Sequence, residues 1–182
     1  MFKVRIISIF FFICSAVHAQ QEQWILNTEK SQISYAAKHL LHAWEGVNRN
    51  FKAIAKSTTG EDNLTEIAVL TYVRDFDSNN SGRDAHALEV LEALSYPEVR
   101  FYANQFEPIQ DSLRIEGTLE FHGVSKPLSV NAYLEKGKRQ WILSGGFTLQ
   151  PTEFGIKLPS FMMVKMEDNL RFEYQLTFDK PE

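Results

Sequence analysis

Four histidines, His39, His42, His86 and His122, are the side chains best suited to acid–base or metal chemistry beyond residue 20. His39 and His42 stand three residues apart, a spacing that zinc sites use. No Asp or Glu stands at a matching distance, so we expect these histidines to make local hydrogen bonds. The sequence therefore predicts neither a bound metal nor a cofactor.

Asp84 and His86 follow Arg83 in a polar cluster that allows general acid–base catalysis. The alternative is that these charges cap a helix and pair locally. No serine stands in the G-x-S-x-G setting of a nucleophile elbow. We therefore expect no enzymatic activity, and the alternative is a hydrolase or isomerase acting on lipids through His39, Asp84, His86 or His122.

The segment from His122 to Val124, followed by Lys126-Pro127, is either a site loop or a turn. Gly123 favours the turn, because glycine adopts a positive φ at no steric cost.

The first 19 residues have the pattern of a secretory signal peptide. Lys3 and Arg5 precede an apolar run over 6–16, and Val17-His18-Ala19 suits a cleavage site after Ala19. The apolar run has 11 residues, whereas a membrane-spanning helix needs roughly 20. We therefore expect a periplasmic or secreted domain of residues 20–182 without a stable membrane span.

The charge balance argues against nucleic acid as a partner. The 182-residue chain has 19 basic and 23 acidic side chains and a net charge of −4. Without Lys3 and Arg5, 17 basic side chains stand against 23 acidic ones and the net charge is −6. Such a chain lacks the basic surface that binding to phosphates requires. Its only cysteine, Cys14, lies in the leader, so we expect packing rather than disulfides to hold the domain together.

Alternating apolar and polar residues predict β-strands in the C-terminal half. Residues 113–121 alternate strictly, and the same period of two recurs over 128–134, 141–149 and 170–178. Weaker candidates are at 23–27, 32–37, 46–55, 65–74 and 98–104. Short glycine-bearing connections favour antiparallel hairpins, and a single domain of this kind removes its sheet edges by closing into a barrel. The alternative is an open sandwich.

One segment has a helical period instead. Leu88, Leu91 and Leu94 fall three residues apart within 83–94, with Ser81 as the predicted N-cap. We expect a short helix that lies over the sheet. If the barrel holds no ligand, the exposed face of this helix makes the protein an interaction module.

The order of several motifs resembles the YceI-like family of exported, lipocalin-like proteins. The matching segments are Trp24–Asn27, Ser31–Tyr35, Lys38-His39, Asn80-x-x-Arg83-Asp84-x-His86, Tyr96–Phe101, Gly117–Leu119, His122–Val124, Lys126-Pro127 and Thr152–Ile156. Their order and spacing run over essentially the whole chain after the leader.

The resemblance implies an all-β, lipocalin-like antiparallel barrel of about eight strands with a short helix packed against it. It also implies an exported, non-catalytic protein whose apolar interior binds a polyisoprenoid or a fatty-acyl-like lipid. The run from Leu40 to Trp44 and the segment 88–94 depart from many relatives, so the identity of the ligand does not transfer. Whether the protein forms a homodimer stays open.

The residues after Leu158 contain all three methionines beyond the leader, and flexible, polarizable side chains suit a lipid pocket. The alternative is that they fill gaps in the core. Trp44 is a candidate for the opposite rim, and Lys38, Arg83 and Lys157 are candidate partners for an anionic head group. The predicted ligand-binding set is Lys38, His39, Trp44, Arg83, His86, Phe154, Phe161, Met162, Met163 and Met166.

Overall fold

The computed structural model describes residues 21–39, 42–59, 63–161 and 163–180, except for the side chain of Phe161. The first strands are β1 (Gln21–Leu26), β2 (Gln32–His39), β3 (His42–Asn48), β4 (Lys52–Thr58) and β5 (Leu64–Tyr72). Helix α1 (Ser81–Val90) follows them. The remaining strands are β6 (Glu98–Ile109), β7 (Ser112–Phe121), β8 (Val124–Lys136), β9 (Gln140–Leu149), β10 (Ser160–Phe161), β11 (Val164–Lys165) and β12 (Leu170–Asp179). The predicted leader and the tip at Leu40-Leu41 lie outside the described residues.

Eight strands close into an antiparallel barrel, which confirms the predicted fold class. Their order around the ring is β1-β4-β5-β6-β7-β8-β9-β12, and β12 pairs back onto β1. β12 pairs with β1 at Phe178 and Asp179 and with β2 over Arg171–Gln175. The β2–β3 hairpin therefore prolongs the wall beyond β1 and β4. Closure pairs the strand edges that an open sheet would expose.

The predicted strand over 46–55 is wrong, because the chain breaks there into β3 and β4. Asn48 is fully buried, and its amide donates a hydrogen bond of 2.6 Å to Thr71 Oγ1. Its Oδ1 accepts a hydrogen bond of 2.6 Å from the backbone N–H of Asn50. Such a side chain-to-backbone bond competes with the strand ladder and turns the chain.

One end of the barrel, called here the closed end, is filled with side chains. The rings of Trp24 and Trp141 stack with centroids 4.2 Å apart, and Trp24 Nε1 donates a hydrogen bond of 3.0 Å to Ser57 Oγ. Phe178 and Leu143 are buried beside them. The two large apolar rings fill this end of the barrel, and the polar group of Trp24 is satisfied by its hydrogen bond.

The opposite end, called here the open end, carries α1 and the long connection from β9 to β12. Helix α1 begins one residue after Asn80, whose Oδ1 accepts a hydrogen bond of 2.9 Å from the backbone N–H of Arg83. Asn80, not the predicted Ser81, is therefore the N-cap. The helix ends at Val90 and not at residue 94, so Leu94 lies on the following turn and is fully exposed.

The turn between β7 and β8 is the predicted one, with positive φ at His122 (51°) and Gly123 (71°). Two successive positive φ values match the twist of the flanking strands. His122 is buried and contacts two other open-end loops: Nδ1 lies 3.0 Å from the Phe154 carbonyl oxygen and Nε2 lies 3.0 Å from Glu92 Oε2. This histidine therefore joins three loops.

Candidate ligand-binding cavity

The half of the barrel toward the open end encloses a cavity of about 990 Å³. Its floor consists of the inward-facing side chains Ile67, Ile115, Val130, Leu143 and Leu176. Alternation along each strand directs further apolar side chains into this space. A volume of this size is at the upper end of the range for sites that hold one small molecule.

Apolar side chains of the upper wall point inward, yet they are only half-buried. Examples on different strands are Val69, Phe101, Leu128, Phe147 and Phe172. In a filled barrel these positions would be as buried as those of the closed end. Their partial exposure therefore comes from the open interior.

Two tyrosines lie against glycines and so leave the cavity open. Tyr174 of β12 pairs in register with Gly145 of β9, and a Cβ atom on Gly145 would lie 2.6 Å from the Tyr174 hydroxyl oxygen. Tyr35 of β2 covers Gly46 of β3 in the same way. An aromatic ring laid over a cross-strand glycine occupies the space where a side chain would stand. The sequence pattern places Gly145 inward but does not reveal this pairing.

The hydroxyl of Tyr174 is buried in the cavity wall and has no hydrogen-bond partner among the described residues. Burial raises the pKa of Tyr174 from 10.0 to about 12, because a phenolate would lose its hydration there. Below pH 10 this side chain is therefore neutral in both the folded and the unfolded chain. Between pH 10 and pH 12 only the unfolded chain ionises, so stability falls as the pH rises.

Replacing Tyr174 with Phe is expected to reduce this alkaline loss of stability. At pH 11 the raised pKa costs wild type about 1 kcal/mol, and Tyr174→Phe removes that cost. At pH 8 the substitution is neutral or stabilises by about 1 kcal/mol, because no buried hydroxyl is left unpaired. Urea unfolding at pH 8 and pH 11 measures both effects, with exposed Tyr133→Phe as the control. If the free energy of unfolding fell by the same amount from pH 8 to pH 11 in wild type and in Tyr174→Phe, the raised pKa of Tyr174 would be contradicted.

The mouth of the cavity lies between β3 and α1, where the lining side chains His42, Arg74 and His86 are exposed. The guanidinium carbon of Arg83 lies 5.5 Å from the centre of the Trp44 ring, a cation–π contact. No ion pair of Arg83 is present in the described part of the chain. A half-buried cation thus lies at the rim, and none of the described carboxylates pairs with it.

Tyr35 lies next to this cation. Burial raises the pKa of its hydroxyl, while a hydrogen bond with the Trp44 side chain opposes that rise. Asp84 raises the same pKa and Arg83 lowers it, both through charge. The rim therefore combines a neutral hydroxyl and a guanidinium, which can donate hydrogen bonds to a polar head group, with the Trp44 indole beside them.

Five residues of the predicted ligand-binding set line the cavity: His39, Trp44, Arg83, His86 and Met166. They come from β2, β3, α1 and the connection before β12, so the fold brings together residues that are distant in sequence. Sequence reasoning missed the aromatic wall of Phe101, Phe147 and Phe172. The alternation of β6, β9 and β12 directs these rings inward, which is the signal that could have found them.

Two members of the predicted set lie outside the cavity wall for clear physical reasons. Lys38 points away and forms an ion pair of 2.8 Å with Glu167, in which both side chains are half-exposed. Phe154 is buried in a small core cluster, with its ring 5.5 Å from that of Phe121. Its place in a 3₁₀ turn directs the ring under the turn and not into the barrel.

The methionine cluster divides in the same way. Met166 lines the cavity, whereas Met163 is fully exposed and has a φ of 63° on the β10–β11 hairpin. Met163 therefore points to solvent at the tip of the hairpin and not into the cavity. The side chain of Phe161 and all of Met162 lie outside the described residues.

The groups named for acid–base chemistry make loop contacts. Asp84 Oδ1 accepts a hydrogen bond of 2.6 Å from Ser78 Oγ, and His86 Nδ1 lies 3.6 Å from Glu89 on the helix surface. His122 joins the open-end loops. Over the described ranges, no group of three or more His, Cys, Asp or Glu side chains is placed to hold a metal ion. In the same residues, no helix is long and apolar enough to cross a membrane.

Solved structures of other proteins contain a similar barrel. BcnA from Burkholderia cenocepacia superposes with a TM-score of 0.75 at 16% identity, covering 84% of this chain and 98% of that protein. A polyisoprenoid binding domain from Saccharophagus degradans superposes with a TM-score of 0.71 at 9% identity, covering 89% of this chain and all of that domain, 100%.

Sequence comparison gives the same assignment. A UPF0312 protein of Azotobacter vinelandii is 24% identical over 157 residues, 80% of this chain and 82% of that protein. YceI of Salmonella newport is 25% identical over 105 residues, 56% of this chain and 55% of that protein. The model of the YceI-like domain matches residues 24–178, which confirms the predicted family. With this match over most of its length, the chain belongs to the YceI-like family.

Proposed function

We propose that the protein binds one long-chain hydrophobic molecule, polyisoprenoid or fatty-acyl in character, inside the barrel and acts as a non-catalytic carrier. The observation that carries this proposal is the cavity of about 990 Å³ between the filled closed end and α1. An unfilled apolar interior costs stability unless a ligand fills it. A slender apolar chain supplies the contacts that the half-buried walls lack.

The energetics suit such a ligand. Removing about 300 Å² of apolar chain surface from water would contribute on the order of 7 kcal/mol before ordering costs. The aromatic walls contain the rings of Phe147 and Phe172, stacked 5.0 Å apart. These rings form a smooth apolar surface that does not require one particular chain branching pattern.

The rim supports a ligand with an anionic or strongly hydrogen-bonding head. Arg83 stands at the rim beside the Tyr35 hydroxyl, and a cation next to a buried anion offsets part of its desolvation. In this arrangement the tail points to the floor at Ile67 and Leu143, and the head stays at the mouth.

The family and the leader support the rest of the proposal. A structural neighbour is described as a polyisoprenoid binding domain, which is the ligand class that the apolar interior favours. The pattern of residues 1–19 supports export, with cleavage after Ala19 and a periplasmic or secreted site of action.

Extraction followed by titration tests this function. The purified protein is extracted with organic solvent, the extract is examined by mass spectrometry, and the delipidated protein is titrated with a long-chain fatty acid, its matched alcohol and a polyprenol. We expect a stoichiometric hydrophobic molecule in the extract and about tenfold tighter binding of the acid than of the alcohol, because Arg83 pairs with the carboxylate. A protein that is empty and binds none of the three probes would falsify the proposal.

A matched pair of variants tests whether Arg83 binds the anionic head group. Arg83→Ala is expected to bind the acid and the alcohol equally, with alcohol affinity unchanged. The control is Arg171→Ala, since Arg171 is exposed on the outer face of β12 and pairs with Glu173. Retained preference for the acid in Arg83→Ala would place the head group elsewhere.

A further inference from the structure

We infer that the open end of the barrel docks onto a lipid bilayer through two exposed apolar side chains, Leu94 and Met163, which flank the cavity. These two are the most exposed large hydrophobic side chains among the described residues. Both belong to open-end loops that contribute to the cavity wall, one following α1 and the other at the β10–β11 hairpin. The inference rests on the proposed function, because only a lipid cargo gives the mouth a reason to face a membrane.

Contacts with the end of β2 hold the β10–β11 hairpin in the position that exposes Met163. His39 Nε2 lies 2.9 Å from the backbone oxygen of Val164, and the backbone N–H of Glu167 donates a hydrogen bond of 3.0 Å to the Lys38 carbonyl. Together with the ion pair between Lys38 and Glu167, these contacts fasten the hairpin to the end of β2. The attachment holds Met163 outward while the same connection lines the cavity at Met166.

Leu94 is held outward on the other side of the cavity. It follows the turn of Glu92, whose carboxylate lies 3.0 Å from His122 Nε2, so the loop is fixed to the β7–β8 turn. Leu91 of the same loop lines the cavity. The neighbouring Tyr96 is also partly exposed and packs against His122, with ring centroids 4.3 Å apart.

A bilayer fits these protrusions better than a flat protein partner. A stable protein interface buries roughly 800 Å² on each side, whereas single side chains on separate loops suit insertion at the boundary between head groups and acyl chains. Lys157 and Lys165 are exposed on the same connection as Met163, and no ion pair is recorded for either within the described ranges. In the docked orientation these lysines would face the lipid head groups and attract their phosphates.

Vesicle binding tests this inference. The purified protein is sedimented with vesicles of phosphatidylcholine and with vesicles of phosphatidylcholine and phosphatidylglycerol at 3:1. We expect wild type to bind both, and we expect Leu94→Asp and Met163→Asp each to bind about tenfold more weakly, because a carboxylate replaces the inserted apolar group. Asp tolerates the positive φ of Met163, so that variant keeps the hairpin.

The control is Tyr133→Asp, at an exposed side chain on β8 toward the closed end, which is expected to bind vesicles as wild type does. Binding of the soluble fatty acid probe is measured in parallel and stays within about twofold in every variant, since none of the three residues lines the cavity. Wild type that does not sediment with vesicles, or loop variants that sediment as strongly as wild type, would overturn the docking inference. Failure of the fatty acid to bind wild type would instead overturn the proposed function.

Discussion

Replacing Val69 with Trp is expected to leave the barrel folded and to weaken binding of long-chain ligands by about 100-fold or more. Val69 faces inward from β5 and lines the cavity, where it is only half-buried. An indole at this position occupies space that the ligand would use, and every displaced methylene group of the chain costs about 0.8 kcal/mol. Because the space is open, the larger side chain does not strain the fold.

Two neighbouring substitutions are controls for this result. Ala68→Trp places the same ring on the outer face of β5, where Ala68 is exposed, and is expected to change neither stability nor binding. Ala55→Trp places it in the filled layer next to Trp24, where overpacking costs about 1–3 kcal/mol. Titration with a fatty acid and urea unfolding measure the effects. If Val69→Trp destabilised the protein as much as Ala55→Trp, the interior at Val69 would be filled and not open.

The sequence predicts the closed barrel well because its strands are half-buried. Along 170–178 the period of two is uninterrupted, and along 141–149 it is broken only at Ile142 and Gly145. β9 and β12 have nearly the predicted bounds. In such strands the inward face needs apolar side chains and the outward face needs polar ones, so the alternation in sequence is strong. The family resemblance adds the number of strands in the barrel, which periodicity alone does not give.

The breaks in the N-terminal half could not be predicted in the same way. The turn after Asn48 depends on the hydroxyl of Thr71, which is 23 residues away in sequence. The true N-cap, Asn80, and the predicted one, Ser81, are both good capping residues, and only the position of the preceding chain decides between them. Local sequence propensity does not decide where such turns and caps form, because tertiary contacts decide it.

The cavity itself also lies beyond what alternation can show. Leu143 in the floor, next to the filled layer, and Phe147 in the half-open wall are both inward residues of β9, with the same pattern. What separates them is the glycine between them, Gly145, over which Tyr174 lies. Rim residues near the helix start, such as Arg83, were predicted because their motif is compact in sequence. Lys38 and Met163 belong to the same predicted set but do not line the cavity, since Lys38 pairs with Glu167 and Met163 is exposed at the tip of the β10–β11 hairpin.

Replacing Trp141 with Ala is expected to destabilise the protein by about 4 kcal/mol, whereas Phe172→Ala costs only about 1–2 kcal/mol in the delipidated protein. Trp141 is 1% exposed and stacks on Trp24 at the closed end, so its removal leaves a hole that surrounding side chains cannot fill. Phe172 borders a space that is already open, so its removal loses the contact with Phe147 but creates little new cavity surface.

Thermal and urea unfolding of the delipidated variants measure this contrast. For a chain of this size, 4 kcal/mol corresponds to a fall of roughly 8–16 °C in Tm. Trp141→Ala is expected to keep its ligand affinity where it remains folded, because Trp141 lies below the floor of the cavity. Phe172→Ala is expected to lose affinity while it stays folded, because its ring belongs to the wall. Equal stability losses for the two variants would mean that the wall is packed as tightly as the closed end, and a barrel of that kind has no interior in which to hold a lipid.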